Sequence, residues 1–196
     1  PEPEISAEES VCEENTYIYT STPSAGTENK WSVEGGTILT DSALSSIQVT
    51  WGSASTGKVK LIQTITATGC LDSAEREIII NPLPDTEISG ERTVCKFNEY
   101  DYFSKNINSI EHTWSVSGGD PIGSSSSTFF RVKWGLPGSG WVKLIEKNTI
   151  TGCTDSTKID IIINTLPNPD ISGSLDVCEF NEYVYFTTPT PEVSNK

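Results

Sequence analysis

Methionine is absent altogether, even at position 1, and histidine occurs once, at His112. A lone histidine supplies no His-dependent nucleophilic triad that a repeated unit could share. No apolar run approaches the roughly 18 residues of a membrane helix, and no signal-peptide pattern opens the chain. Basic residues are scarce: 13 Lys and Arg stand against 27 Asp and Glu, a formal net charge of −14. A polyanion of this kind is repelled by nucleic acid and by anionic lipid, so neither nucleic-acid binding nor membrane insertion is expected. There is no Cys-x-x-Cys for zinc, no Asp-x-Asp-x-Asp calcium loop and no phosphate-binding glycine loop. Apolar residues at helical spacing are also missing. The missing initiator reads as a mature or excised piece of a longer protein.

What is present is strand and turn material: Ser, Thr, Gly, Asn and Pro, with apolar residues that are mostly β-branched or aromatic. It is organised as a repeat. Val11-Cys12 recurs as Val94-Cys95 and again as Val177-Cys178, an offset of 95 − 12 = 83 each time. The same offset carries Trp31 to Trp114, Trp51-Gly52 to Trp134-Gly135, Gly69-Cys70 to Gly152-Cys153, and Ile78-Ile79-Ile80-Asn81 to Ile161-Ile162-Ile163-Asn164. Boundaries fall at the proline joints Asn81-Pro82-Leu83-Pro84 and Asn164-Thr165-Leu166-Pro167. Residues 1–83 and 84–166 are therefore read as complete copies, and 167–196 as the first third of another that continues beyond Lys196. Proline fixes φ at the joint, and a leucine repeated there (Leu83, Leu166) is expected to pack between units, so the array should be stiff.

Two copies also reveal which residues face inward. Tyr17-Ile18-Tyr19 matches Tyr100-Asp101-Tyr102 and Tyr183-Val184-Tyr185: the outer tyrosines persist while the middle position turns acidic, so the tyrosines point to the core. Trp31 and Val33 match Trp114 and Val116; Ile47, Val49 and Trp51 match Phe130, Val132 and Trp134; Val59 and Leu61 match Val142 and Leu144. All alternate with polar residues at period two. Gly35-Gly36 and Gly118-Gly119 supply tight turns. About seven short strands per unit of this size describe an immunoglobulin-like β-sandwich, and the fold class is all-β.

The order Pro-x-x-x-Ile-Ser-Gly, Val-Cys, Tyr-x-Tyr, Trp-x-Val-x-Gly-Gly, Val-x-Trp-Gly, Gly-Cys resembles the PKD-like repeats of giant secreted and cell-surface proteins of the Bacteroidota, gliding adhesins and other cargo of the type IX system among them. The resemblance covers both full copies and the trailing third. It implies an extracellular or cell-surface location and a non-catalytic, spacing role. The Trp-Asp-Phe-Gly-Asp-Gly signature of eukaryotic PKD domains is replaced here by Trp31-Ser32-Val33-Glu34-Gly35-Gly36, so functions particular to those domains do not carry over.

In an extracellular setting the five cysteines are read as disulfide formers. Each full copy holds one Val-Cys and one Gly-Cys cysteine, which favours Cys12–Cys70 and Cys95–Cys153 and leaves the partner of Cys178 outside the chain. The rival is a bridge between neighbours, Cys12 to Cys153, because the two cysteines of one sandwich should lie at opposite ends. Free buried thiols are the third alternative.

Other candidates are weighed residue by residue. His112 matches Asn29 and is expected on a surface loop. Calcium is the one cofactor that the acidic residues suggest, with Asp72 and Asp155 after the Gly-Cys turn and Glu4, Glu87 and Asp170 at the joints; a solvated acidic face is the preferred reading, and no metal site or cofactor is assigned. Four of the five tryptophans recur at inward positions, whereas Trp141 replaces Lys58 and should face outward as a surface contact. Asp-Ser-Ala at 41–43 and 72–74 and Asp-Ser-Thr at 155–157 resemble the acceptor of periplasmic O-glycosylation in the Bacteroidota. That makes Ser42, Ser73 and Ser156 candidates, the last two in an expected exposed turn; no Asn-x-Ser/Thr sequon occurs. The resulting expectation is a stalk or filament segment whose partners are neighbouring repeats, other copies of the chain or surface glycans. A glycan-binding adhesin module and an accessory domain of a secreted hydrolase are the alternatives.

Overall fold

A computed structural model describes residues 1–187 except 23, 54, 106 and 107, and every regular element among them is a strand. Eight strands come first: β1 (Ile5–Ser6), β2 (Ser10–Cys12), β3 (Thr16–Ser21), β4 (Thr27–Glu34), β5 (Gly36–Ile38), β6 (Ser46–Trp51), β7 (Ser55–Ile65) and β8 (Leu71–Asn81). They form two sheets, ordered β1-β3-β6-β5 and β2-β8-β7-β4. Eight more follow: β9 (Ile88–Ser89), β10 (Thr93–Cys95), β11 (Glu99–Ser104), β12 (Ile110–Ser117), β13 (Gly119–Ile122), β14 (Phe129–Trp134), β15 (Gly138–Asn148) and β16 (Thr154–Asn164). Their sheets, β9-β11-β14-β13 and β10-β16-β15-β12, repeat the first pair strand for strand. The chain is thus built of immunoglobulin-like β-sandwiches. The strand beyond the seven expected arises because the leading segment is split. β1 pairs antiparallel with β3 in one sheet, and β2 then crosses to lie parallel beside β8 in the other.

Each sandwich has its own core, and the period-two alternation puts it there. From Gly57 to Thr64, β7 alternates buried and half-buried residues, with Val59 and Leu61 fully inside. Between the sheets, Trp51 stands edge-on to Tyr19 with ring centroids 5.9 Å apart, and its Nε1 donates to Tyr19 Oη at 2.9 Å. Tyr102 and Trp134 repeat the edge-on contact at 6.2 Å. Such pairs add about 1 kcal/mol beyond their burial. The indole of Trp134 lies against Gly140, where an added Cβ would come within 2.6 Å of the ring and 2.5 Å of the Ser117 carbonyl. Gly57 sits in the same way under Trp51.

Among the described residues of the trailing segment, the only strands are β17 (Ile171–Ser172) and its partner β18 (Phe186–Thr187). Ile171 is 70% exposed and Tyr185 54%, where the equivalent Ile5 and Tyr19 are 5% and 0%. The turn beside them is nevertheless the same in all three places. The Tyr17, Tyr100 and Tyr183 hydroxyls accept from the N–H of Cys12, Cys95 and Cys178 at 2.8, 3.1 and 2.7 Å. Glu14, Phe97 and Phe180 take positive φ of 61°, 65° and 65° to turn the chain.

Candidate functional site

The strand ladders fix where each cysteine lies. Cys12 ends β2 opposite Asn81, the last residue of β8, so it sits where the chain leaves the first sandwich. Cys70 immediately precedes β8, at the other end. Eleven residues of extended chain at about 3.3 Å each separate the two levels by roughly 35 Å, against the 4.4–6.8 Å that a disulfide spans between Cα atoms. Cys95, opposite Asn164, and Cys153, just before β16, are held apart in the same way. The favoured pairings Cys12–Cys70 and Cys95–Cys153 are therefore not formed. Instead Cys12 is bonded to Cys153, Cα to Cα 5.6 Å, across the joint between the sandwiches. Both are buried, whereas Cys70 and Cys178 are exposed thiols and Cys95 a half-buried one.

Local structure presents each end of that bridge. The Cys12 side is the tyrosine-held turn described above, pinned further by Glu13 N–H to the Asn81 carbonyl at 3.0 Å. The Cys153 side is a tight hairpin whose Gly152 has φ of 78°, a left-handed conformation that favours glycine. There the Cys153 carbonyl accepts from Asn148 N–H at 2.8 Å. Along the joint itself, Leu83 is half-buried and its N–H donates to the Glu13 carboxylate at 3.0 Å, and Pro84 is buried. Leu166 at the next joint is 39% exposed.

His112 does not lie on a surface loop. It is in β12, 6% exposed, with Nε2 3.1 Å from Ser104 Oγ and 3.4 Å from Glu146 Oε1; Ser104 Oγ also donates to that carboxylate, which is fully buried. Ser, His and Glu are the residue types of a nucleophilic triad, but a relay needs the hydroxyl and the carboxylate on different ring nitrogens, and here Nε2 faces both. The first sandwich holds an uncharged version at the same place. Asn29 Nδ2 lies 3.4 Å from Ser21 Oγ, and Gln63 Nε2 donates to Asn29 Oδ1 at 3.1 Å. Both are polar plugs in the core, which sequence reasoning missed. The available signal was the alternation: His112 is two before Trp114, Glu146 two after Leu144 and Ser104 two after Tyr102, so all three continue inward-facing series.

The remaining candidates stay dispersed. Ser73 and Ser156 are exposed but belong to β8 and β16 and not to a turn, because pairing resumes directly after each Gly-Cys. Ser42 lies in a turn, half-buried, its carbonyl accepting from Trp31 N–H at 2.9 Å. Trp141 alternates with buried neighbours, is half-buried, and lies between Ser117 and Asp160 across the ladder. Among the acidic candidates, Asp155 accepts from Thr86 Oγ1 at 3.0 Å and Asp72 from the Ser73 N–H at 2.8 Å. No three His, Cys, Asp or Glu residues converge as a metal set among the described residues.

Serial immunoglobulin-like sandwiches are the class that these ladders define. Within it, residues 1–80 match the family model of the PKD-like domain. No curated protein matches the sequence. Among solved structures, the chain is similar to the Bacteroides ovatus mixed-linkage glucan utilization locus protein SGBP-B in complex with a heptasaccharide. That likeness has 17% identity and a TM-score of 0.34, and covers 84% of this chain and 47% of that one. A C-terminal 282-residue fragment of intimin in complex with its translocated receptor's binding domain gives 15% identity and a TM-score of 0.39, covering 89% and 66%. The chain thus spans about half the length of SGBP-B. Fibronectin(III)-like modules of Clostridium thermocellum CbhA give 11% identity and a TM-score of 0.37 over 83% and 95%. At these TM-scores the likeness adds nothing to the sandwich assignment made from the strands.

Proposed function

We propose that the chain is a structural segment of a larger surface protein: a stiff series of sandwiches, residues 1–83, 84–166 and the start of another at 167, that spaces a functional end from the cell. The observation that carries this reading is the Cys12–Cys153 bridge. A peptide joint alone fixes one point between two bodies and leaves them free to swivel. A covalent bond beside it adds a second point and restricts hinging. An acidic surface with net charge of −14 keeps such arrays apart and solvated at an oxidising cell exterior, where the bond persists. Ser73 and Ser156, exposed at equivalent positions, are the O-glycan acceptors that this location would make available.

Small-angle scattering tests the reading on three proteins: the native chain, Cys12→Ser, and a variant with Pro82, Leu83 and Pro84 all changed to Gly. The native chain should give a narrow distribution of maximum dimensions. Each variant should broaden it, and reduction should do to the native chain what Cys12→Ser does. Equal breadth in all three would mean that bridge and joint are mere tethers, and the spacer reading would fail.

A further inference from the structure

The bridge joins the Val-Cys cysteine of one unit to the Gly-Cys cysteine of the next. Shifted by one repeat, the same rule leaves two open halves. Cys95 is the counterpart of bonded Cys12, and Cys70 that of bonded Cys153. Their surroundings are the bonded surroundings. Lys96 N–H donates to the Asn164 carbonyl at 2.9 Å as Glu13 does to Asn81, and Phe97 N–H donates to the Trp134 carbonyl at 2.9 Å as Glu14 does to Trp51. Around Cys70, Gly69 has φ of 72° against 78° for Gly152, and the Cys70 carbonyl accepts from Ile65 at 2.8 Å as that of Cys153 does from Asn148. What differs is cover. Cys153, which faces a preceding unit, is 1% exposed, and Cys70 at the uncovered end is exposed.

We propose that Cys70 and Cys95 are preformed sites for further copies of this unit: Cys95 bonds the Gly-Cys cysteine of the unit that follows, and Cys70 the Val-Cys cysteine of the unit that precedes. Because Cys95 lies inside the loop closed by Cys12 and Cys153, successive bridges interlock and no single bond carries an array alone. Each bridge forms by two exchanges with a low-molecular-weight disulfide such as glutathione disulfide. One cysteine thiolate breaks the donor's S–S bond and becomes a mixed disulfide, releasing one glutathione thiolate. The second cysteine thiolate attacks that mixed disulfide and releases the other. The Sγ–Sγ bond replaces the donor's, the cysteines are oxidised, glutathione is reduced, and the two cysteine protons end on the released thiols. The proposal rests on repeat geometry and not on the spacer reading, since a tandem with no surface role would pair in the same way.

The test is a chain in which residues 1–166 precede the full sequence, so that Leu166 is followed by Pro1 in the register that natively places Pro167 there. After oxidation in a glutathione buffer, alkylation and trypsin digestion, Cys95 of the first copy should be found linked to Cys70 of the second, peptide Thr93–Lys96 to peptide Leu61–Arg76. Both copies should keep Cys12–Cys153. Cys70 of the first copy and Cys95 and Cys178 of the second should be alkylated. The unduplicated chain, treated alike, should alkylate at both Cys70 and Cys95. Cys95 recovered with Cys153 of its own unit, or Cys95 and Cys70 both alkylated in a duplicated chain that has formed Cys12–Cys153, would overturn the proposal.

Discussion

The buried polar plugs of the two sandwiches invite an exchange. Changing His112→Asn and Glu146→Gln together gives the second sandwich the set Ser-Asn-Gln that the first already holds. Either change alone leaves a mismatch. His112→Asn keeps a fully buried carboxylate and removes the ring 3.4 Å away, and Glu146→Gln replaces the charged acceptor of Ser104. A hydrogen bond to a charged group contributes about 1.5–3 kcal/mol, and each single change removes or weakens one such contact in a set that keeps its others, so each should destabilise by about 2 kcal/mol. The pair restores an amide network with the geometry seen at Asn29 and Gln63, where the donor–acceptor distance is 3.1 Å. It should lie within about 1 kcal/mol of the native chain, a coupling of at least about 3 kcal/mol, at the upper end for residues in contact. Hydrogen exchange read by mass spectrometry on peptides from β12 and β15 gives the opening free energy of the second sandwich, with the unmutated first as internal reference. If the double variant loses the sum of the two single losses, the plugs are not interchangeable units and the reasoning fails.

Three further outcomes are expected. Cys12→Ser or reduction opens a loop with a sequence separation of 141, worth about 5 kcal/mol at most in the chain-entropy model, so the urea midpoint of the second sandwich should fall; an unchanged midpoint would place the bond outside the folded structure's stability. Gly140→Ala forces a Cβ against the Ser117 carbonyl and Trp134, and should cost about 1–3 kcal/mol by thermal unfolding, while Gly123→Ala, where a Cβ meets nothing within 4 Å but φ is 87°, should cost about 1 kcal/mol from backbone strain alone. Burial pushes the Tyr19 and Tyr102 phenols up to about 12 from 10.0. The neutral form is the one the fold holds, so this stability is intact below pH 10 and is lost as pH rises towards 12, by about 2–3 kcal/mol for each tyrosine; in a variant with the other four tyrosines changed to Phe, tyrosinate absorbance rising in step with loss of circular dichroism would show it, and ionisation of Tyr19 and Tyr102 near pH 10 with the fold intact would contradict it.

Much of this architecture was readable in the residues. The offset of 83 and the period-two alternation placed Tyr19, Trp51, Val59 and Leu61 inside, and all four are at most 1% exposed. Disulfide partners are readable only in part: the opposite ends of one sandwich make Cys12–Cys153 the rival, but two cysteines per copy favour the pair within each unit, and only the ladders decide by putting a whole strand between them. His112 reads as a surface residue because its counterpart Asn29 is polar, although its position two before Trp114 continues an inward-facing series. Ser73 and Ser156 read as turn residues because Gly-Cys looks like a turn that continues; the hairpin instead closes within it, and pairing restarts at Leu71 in one copy and Thr154 in the other.

The bond between Cys12 and Cys153 also decides where a pull along the chain would travel. Tension entering at the first strand reaches Cys12, crosses two sulfur atoms, and leaves through β16. Everything between them is bypassed: all of β3 to β15 hangs off the line of force as a closed loop. At about 3.4 Å per extended residue, a separation of 141 withholds about 480 Å of contour length that the chain would otherwise pay out on unfolding. Under load the oxidised segment should therefore stretch little and then hold, and the same polypeptide with that bond reduced should act as a long shock absorber.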